Sequence, residues 1–373
     1  MKKKYVIEVI LFLTYALFAM SWKAGDILIA SYGFSASQSA IMPNAINASK
    51  VIGCISAAGI IAKLGNRKTF TYSTFLIVLG ILLPFVQTFS LIFIIRFVLG
   101  LGGALVLVTI NPIVSKLFFG EELTVVNGLN VVAFNVGLAV VLTLIKPIAA
   151  SPKTSIIILS LIVFVGLILW LMLSKEFEDN SNSNQEEAKL AAKEYTIIDG
   201  LKDKFNIIFS LSYSGLLAFY LVAFTFMKAE NVVFVIYAGV IGALVGTFWA
   251  KKFENKLQLV RISAFLQLVS AIGFITYYDY PLVKIIGLLL GFFIFFPMPA
   301  FVTLAFTRKN VTPRKISVTF SIFWSVSYLV SIVLLQIFAF LTDNTGSMII
   351  PFIFIICVEA FFFIGTTFFL KKD

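Results

Sequence analysis

The sequence predicts an all-α membrane protein: twelve transmembrane helices in two six-helix bundles, related by a pseudo-two-fold axis along the membrane normal. Three observations predict it. The 373 residues are 60% hydrophobic and 13% charged, with a mean hydropathy of +1.03, too apolar for a soluble chain. The apolar runs recur at about 20 residues, the length a helix needs to cross a bilayer. They lack the alternation of a transmembrane β-strand. Finally, the chain echoes itself. Ala62-Lys63 and Lys68 return as Ala250-Lys251 and Lys256, offset by 188 residues, and Arg96-x-x-x-Gly100 returns as Gly287-x-x-x-Gly291, offset by 191.

Taken in order, the predicted spans are 6–30, 39–62, 70–88, 91–117, 126–148, 154–174, 205–227, 232–250, 258–278, 280–306, 316–341 and 348–370. Met1-Lys-Lys-Lys-Tyr5 and the apolar run behind it resemble a signal peptide. The run continues to about Ala30 without a small-residue cleavage pattern, so it reads as a retained first helix. Ser35-Ala-Ser-Gln38 offers N-caps for span 2. Spans 2 and 3 meet in the basic turn Lys63-Leu-Gly-Asn-Arg-Lys68, where Gly65 suits a reversal that needs positive φ or close backbone approach. Ser151-Pro152 breaks the chain before span 6, and Thr312-Pro313 before span 11. Between the halves, Lys175-Glu-Phe-Glu-Asp-Asn-Ser-Asn-Ser-Asn-Gln185 is polar and aperiodic, a flexible linker. Beyond it, Leu190, Ile197, Ile198 and Leu201 stand among Lys and Glu. They mark either a short helix on the membrane surface or more solvated linker. The domains are thus 1–174, a linker 175–204 and 205–373.

With the N-terminus inside, 22 of the 29 Lys and Arg fall in inner segments, 4 in outer loops and 3 within the membrane. Short basic loops stay inside, so both termini are expected in the cytoplasm, in a plasma membrane (an inner membrane in a Gram-negative cell). The net charge of +11 resides in these turns and does not indicate nucleic acid. Cys54 and Cys357 lie in apolar runs and read as buried free thiols. The chain has no His, which excludes histidine metal sites and histidine proton relays. No nucleophile–base pair, metal cluster or phosphate loop points to an enzyme or to ATP, and no cofactor is expected.

Ionisable groups in hydrocarbon are costly and generally face a cavity or a partner. Lys50 lies 11 residues from the start of span 2 and 12 from its end, roughly 15 Å from either interface. A lysine stem does not snorkel so far. Lys50 is either an anion-binding cation or one half of a structural pair with an acid or carbonyls. Lys23 and Asp26 are spaced i, i+3 on span 1. They form either a self-neutralising pair or a site where Asp26 carries a proton. Glu359 lies at the middle of span 12, while Glu8 is close enough to the membrane surface to be solvated. Tyr213 and Tyr220 share a face of span 7, and Trp324 and Tyr328 are i, i+4 on span 11. Each has a polar tip that wants a partner. Asn44, Asn47, Asn130 and Asn135 are amides at membrane depth, which suggest a polar cavity as a group and helix-packing contacts singly.

The six-plus-six spans, the central linker and the basic 2–3 turn resemble the major facilitator superfamily over the whole chain. The family's turn motif, roughly Gly-x-x-x-Asp-Arg-x-Gly-Arg-Arg-Lys, is matched at Lys63, Gly65, Arg67 and Lys68. The chain departs from it at Ala62, where the family has an acid, and at Asn66. In the family these acidic and basic residues latch the inner gate. Arg96-Phe-Val-Leu-Gly-Leu-Gly-Gly103 resembles the Arg-x-x-x-Gly-x-Gly motif of proton-coupled members, with Gly100 as its first glycine. The Gly-x-x-x-Gly-Pro motif of drug exporters is absent from span 5. The resemblance implies alternating access and a cavity between the halves, lined by spans 1, 4, 7 and 10. Arg96 then either holds a substrate carboxylate, biases a nearby acid or staples span 4 to carbonyls of its neighbours.

The expected function is secondary active transport of a small solute by a monomer. The expected solute is an organic or inorganic anion carried with protons; the alternative is a proton-driven drug or metabolite exporter. Lys50, Arg96, Asn47, Tyr213, Tyr220, Trp324 and Tyr328 are the expected substrate contacts. Asp26 and Glu359 are the proton-coupling candidates; span 12 is peripheral in the family, which favours Asp26.

Overall fold

The computed structural model describes residues 3–175, 195–309 and 311–371. They are almost wholly helical, with no strand among them. Contacts divide the chain into two compact units, Met1–Leu190 and Ala191–Asp373, with the boundary inside the expected linker. Most of that linker, including Leu190, lies outside the described residues. Among the described residues, ten helical spans are long and apolar enough to cross a membrane. The helical runs 36–62 and 120–143 supply the other two expected.

In the first unit, α1 covers Lys3–Ala30. α2 runs Ala36–Val78 and holds span 2 and the first part of span 3, with a break at Gly65. There φ is 76°, the left-handed backbone that glycine adopts without a Cβ penalty. Ser35 and Gln38 form a reciprocal capping box at its start. A 3₁₀ turn, Leu79–Phe85, follows at Pro84. α3 (Phe89–Leu117), α4 (Gly120–Thr143), α5 (Ile145–Ala150) and α6 (Pro152–Leu173) complete the unit. Span 5 was expected to reach 148. It breaks at Leu144, three residues before Pro147, whose ring and missing N–H disfavour an unbroken helix.

In the second unit, α7 (Ile197–Lys202) is a six-residue helix capped by Thr196 and Asp199, with Ile198 and Leu201 exposed. Of the two readings open for this stretch, a short helix forms over Ile197–Lys202. α8 (Lys204–Phe226), α9 (Ala229–Lys252), α10 (Lys256–Thr276), α11 (Val283–Phe295), α12 (Met298–Thr303), α13 (Pro313–Thr345) and α14 (Ile349–Ile364) follow. Span 10 is interrupted where Pro297 and Pro299 remove two backbone donors, so α11 and α12 are separate helices.

The echo in the sequence is a packing equivalence. A Cβ on Gly100 of α3 would meet the Cα of Ile46 in α2 at 2.7 Å, and one on Gly291 of α11 would collide with the carbonyl of Val235 in α9. Glycine lets these backbones touch, the small-residue packing that membrane helices use. A second equivalence closes each unit at its turns. Arg67 donates from Nε to Ser174 Oγ at 3.1 Å and from its guanidinium to the Leu171 carbonyl at 3.2 Å, at the end of α6. Arg261 donates to the Thr366 and Leu370 carbonyls at 2.9 and 3.0 Å, just past α14. Each arginine satisfies carbonyls left open where a helix ends.

Candidate functional site

The polar interior of the first unit is built on α1, α2 and α3. Arg96 is fully buried. It donates to the Trp22 carbonyl at 2.8 Å, and its other terminal nitrogen binds the Asp26 carboxylate. Both partners lie on α1, so Arg96 staples α3 to α1 by a carbonyl and a carboxylate together. Lys23 lies close enough to feel both charges. Of the pairings open in the sequence, Asp26 takes Arg96 as its buried ion-pair partner. Removing one member of such a pair leaves the other charged and desolvated.

The glycines after Arg96 explain its position. Gly100 faces α2 at Ile46, Gly102 faces the second arm of α2 at the Ser73 carbonyl, and Gly103 faces the Phe18 ring of α1. Three glycines in four positions seat α3 against three neighbouring stretches. Gly25 does the same for the guanidinium, since a Cβ there would lie 2.6 Å from Arg96.

Lys50 is 3% exposed, on the first arm of α2. Its ammonium lies 4.7 Å from the Trp22 ring, 5.0 Å from Phe134 and 5.5 Å from Phe18. An aromatic cage of this kind stabilises a desolvated cation by about 2 kcal/mol. Asn47, one turn earlier on the same face, is wholly buried, and neither of its amide atoms has a hydrogen-bond partner. The described interior of the unit thus holds Lys23, Lys50 and Arg96 with Asp26 and Glu8, three cations to two acids, and an open amide beside Lys50.

In the second unit, Tyr213 packs on Phe301, Phe323 and Trp324, and Trp324 stacks on Tyr328 at 5.9 Å. Tyr220 stands apart against Phe295. α8 and α13 are joined by hydroxyls. Thr319 donates to the Asn206 amide oxygen at 2.9 Å, Ser327 to the Ser210 carbonyl at 3.1 Å and Ser331 to the Ser214 carbonyl at 3.3 Å. Glu359 is buried and accepts from Gln267 at 2.5 Å, tying α14 to α10.

Two sequence readings need correction. Glu8 is not solvated: it is 8% exposed and lies against Asn130 of α4, because α4 covers that face of α1. Cys357 is exposed rather than buried, since an apolar run hides which face turns outward. For Asp26, where the sequence left its partner open, Arg96 is the ion-pair partner across 70 residues, with Lys23 also near. In the turn motif, Lys63 and Lys68 are exposed, and only Arg67 of the three cations binds another helix end.

The comparisons agree with this fold. The family model described as Major Facilitator Superfamily matches residues 8–335. An uncharacterised protein of Campylobacter jejuni is 30% identical over 228 residues, which cover 59% of this chain and 69% of that one. Uncharacterised proteins of Mesomycoplasma hyopneumoniae are 22% identical, and the chain spans less than half their length, 41%. Among solved structures, a D-xylose–proton symporter matches with a TM-score of 0.72 at 15% identity, over 99% of this chain and 98% of that one. The Escherichia coli fucose–proton symporter matches with a TM-score of 0.65 at 15% identity, over 98% of both chains. A family match over most of the length, on a helical fold shared end to end with solved transporters, places this chain in the major facilitator superfamily of membrane transporters.

Proposed function

We propose that the protein is a proton-coupled carrier of a small anion, working by alternating access as a monomer in the plasma membrane, with both termini cytoplasmic. The observation that carries this reading is the charge set in the interior of the first unit: among the described residues three buried cations, Lys23, Lys50 and Arg96, stand against two acids, Asp26 beside Arg96 and the distant Glu8. A surplus of positive charge in hydrocarbon is unfavourable unless an anion joins it. Lys50 is the bet for the anion's charged group, and Asn47 beside it offers both a donor and an acceptor. In the second unit Tyr213, Trp324 and Tyr328 are the further substrate contacts we infer, apolar faces with polar tips, and Tyr220 is the outlying member of that set.

Coupling follows from Arg96 and Asp26. An anion drawing on Arg96 as counter-ion leaves the Asp26 carboxylate with less compensating charge. A proton on Asp26 restores the balance, so anion and proton enter and leave together. The ligand then shifts the proton equilibrium by as much as it differs in affinity for the two charge states. The xylose– and fucose–proton symporters that share the fold are proton-coupled by their names, which supports the coupling half of the reading. Glu359 already has Gln267 and lies at α14 and α10, and it is the weaker coupling candidate.

The test is uptake of labelled anions and neutral sugars into proteoliposomes, with and without an inward proton gradient. The reading requires gradient-driven accumulation of an anion, and loss of that uptake in Lys50→Ala while the variant still folds. Accumulation of a neutral sugar alone, or near-normal anion uptake by Lys50→Ala, contradicts it.

A further inference from the structure

A second buried acid belongs to none of this. Glu8 lies on α1, more than four turns from Asp26. Both of its carboxylate oxygens are buried without a hydrogen-bond partner. The Asn130 amide of α4, 6% exposed, faces that carboxylate, and neither of its amide atoms reaches a partner in hydrogen-bond geometry. One turn before it on the same helix, Asn127 has its amide oxygen buried and unpartnered too. The neighbouring cation is already committed. Lys4, one turn before Glu8, is held by Glu122 of α4 at 2.5 Å and lies over the Phe118 ring, and Tyr5 donates to the same Glu122 at 2.5 Å. The α1–α4 seam therefore pairs its outermost charges and leaves the next layer open.

Leaving a buried carboxylate and two amide oxygens without partners costs several kcal/mol, so such groups are satisfied by something. The open atoms here are chiefly oxygens: two from Glu8, one from Asn130 and one from Asn127. An all-oxygen set selects a hard cation. One carboxylate charge is neutralised by a single positive charge, and neutrality is what hydrocarbon favours. Mg²⁺ would leave a net charge and sheds its waters reluctantly. We propose that Glu8 and Asn130, with Asn127 one turn along the same face of α4, form a binding site for a small monovalent cation of the Na⁺ class between α1 and α4. Occupying it locks α1 to α4 at the end already fastened by Lys4 and Glu122. The site uses neither Asp26, Arg96 nor Lys50, so it stands or falls apart from the anion reading.

The experiment is thermal unfolding of the full chain in detergent, with NaCl titrated against choline chloride at constant pH and ionic strength. A cation that binds only the folded state raises Tm with its concentration. Wild-type protein is expected to gain several degrees, saturably, with LiCl acting similarly and KCl weakly. Glu8→Gln keeps the shape and removes the charge. It is expected to lose the Na⁺ dependence while unfolding in choline at or above the wild-type temperature. Asn130→Leu should weaken the Na⁺ response, and Asp26→Asn should keep it. A wild-type Tm indifferent to Na⁺, or an equal Na⁺ shift in Glu8→Gln, overturns the proposal. So does a Tm that follows pH alone, which would mark a proton as the occupant.

Discussion

In the first unit Gly100 of α3 rests on Ile46 of α2; in the second Gly291 of α11 rests on Val235 of α9. Four residues before each glycine the units part. The first has Arg96, buried and joined to Asp26, whereas the second has Gly287, packed near Phe274 and Val235. The same helix crossing is thus built with an ionic staple in one half and without it in the other. In the second unit the corresponding cohesion comes from hydroxyls along α8 and α13 and from stacked rings. The difference teaches that glycine spacing sets the scaffold, while among the described residues buried cations are added on one side only.

The sharpest way to break the comparison is to remove the staple. Arg96→Ala leaves Asp26 buried without its partner and should cost about 3–5 kcal/mol, read by thermal or denaturant unfolding. The double variant Arg96→Met, Asp26→Leu should recover much of that stability and no coupled transport. A loss from Arg96→Ala as small as that of a serine deletion would show that the two units are held alike.

Next come the matched glycines. Gly100→Ala and Gly291→Ala each push a methyl group into a neighbouring backbone. Each should cost about 1–3 kcal/mol, and the two losses should be similar. A large loss in one and none in the other would undo the equivalence of the crossings.

Much of this scaffold was legible in the sequence. Span lengths, caps and the positive φ of Gly65 are local, and periodicity and turn chemistry report them. The pairing of Arg96 with Asp26 was visible only as reach, because it joins helices 70 residues apart. The burial of Glu8 was not legible at all. Its neighbour Asn130 is 122 positions away in the chain, and nothing near Glu8 signals that α4 covers it. The aromatic cage of Lys50 likewise gathers Phe18, Trp22 and Phe134 from α1 and α4.

Smaller effects sharpen the second unit. Ser331→Ala removes one interhelical hydroxyl and should cost about 0.6 kcal/mol. Smallest of all is the exposed pair Lys228–Asp279, 2.7 Å apart. The hydrogen bond to Asp279, and then its charge, raise the Lys228 ammonium above the ordinary lysine range. That contribution is complete below about pH 10, the unfolded lysine value, and is lost only as pH rises through the higher folded value. Lys228→Met should therefore leave the pH dependence of stability between pH 6 and 9 unchanged, checked by unfolding across that window.

The central claim is that charge on one side of the molecule couples anion to proton. Its most direct test is Asp26→Asn in proteoliposomes, assayed for substrate exchange at equal pH and for accumulation driven by a pH gradient. The account predicts that exchange survives and accumulation fails. Accumulation against a gradient by Asp26→Asn would contradict it and leave Asp26 a structural partner of Arg96.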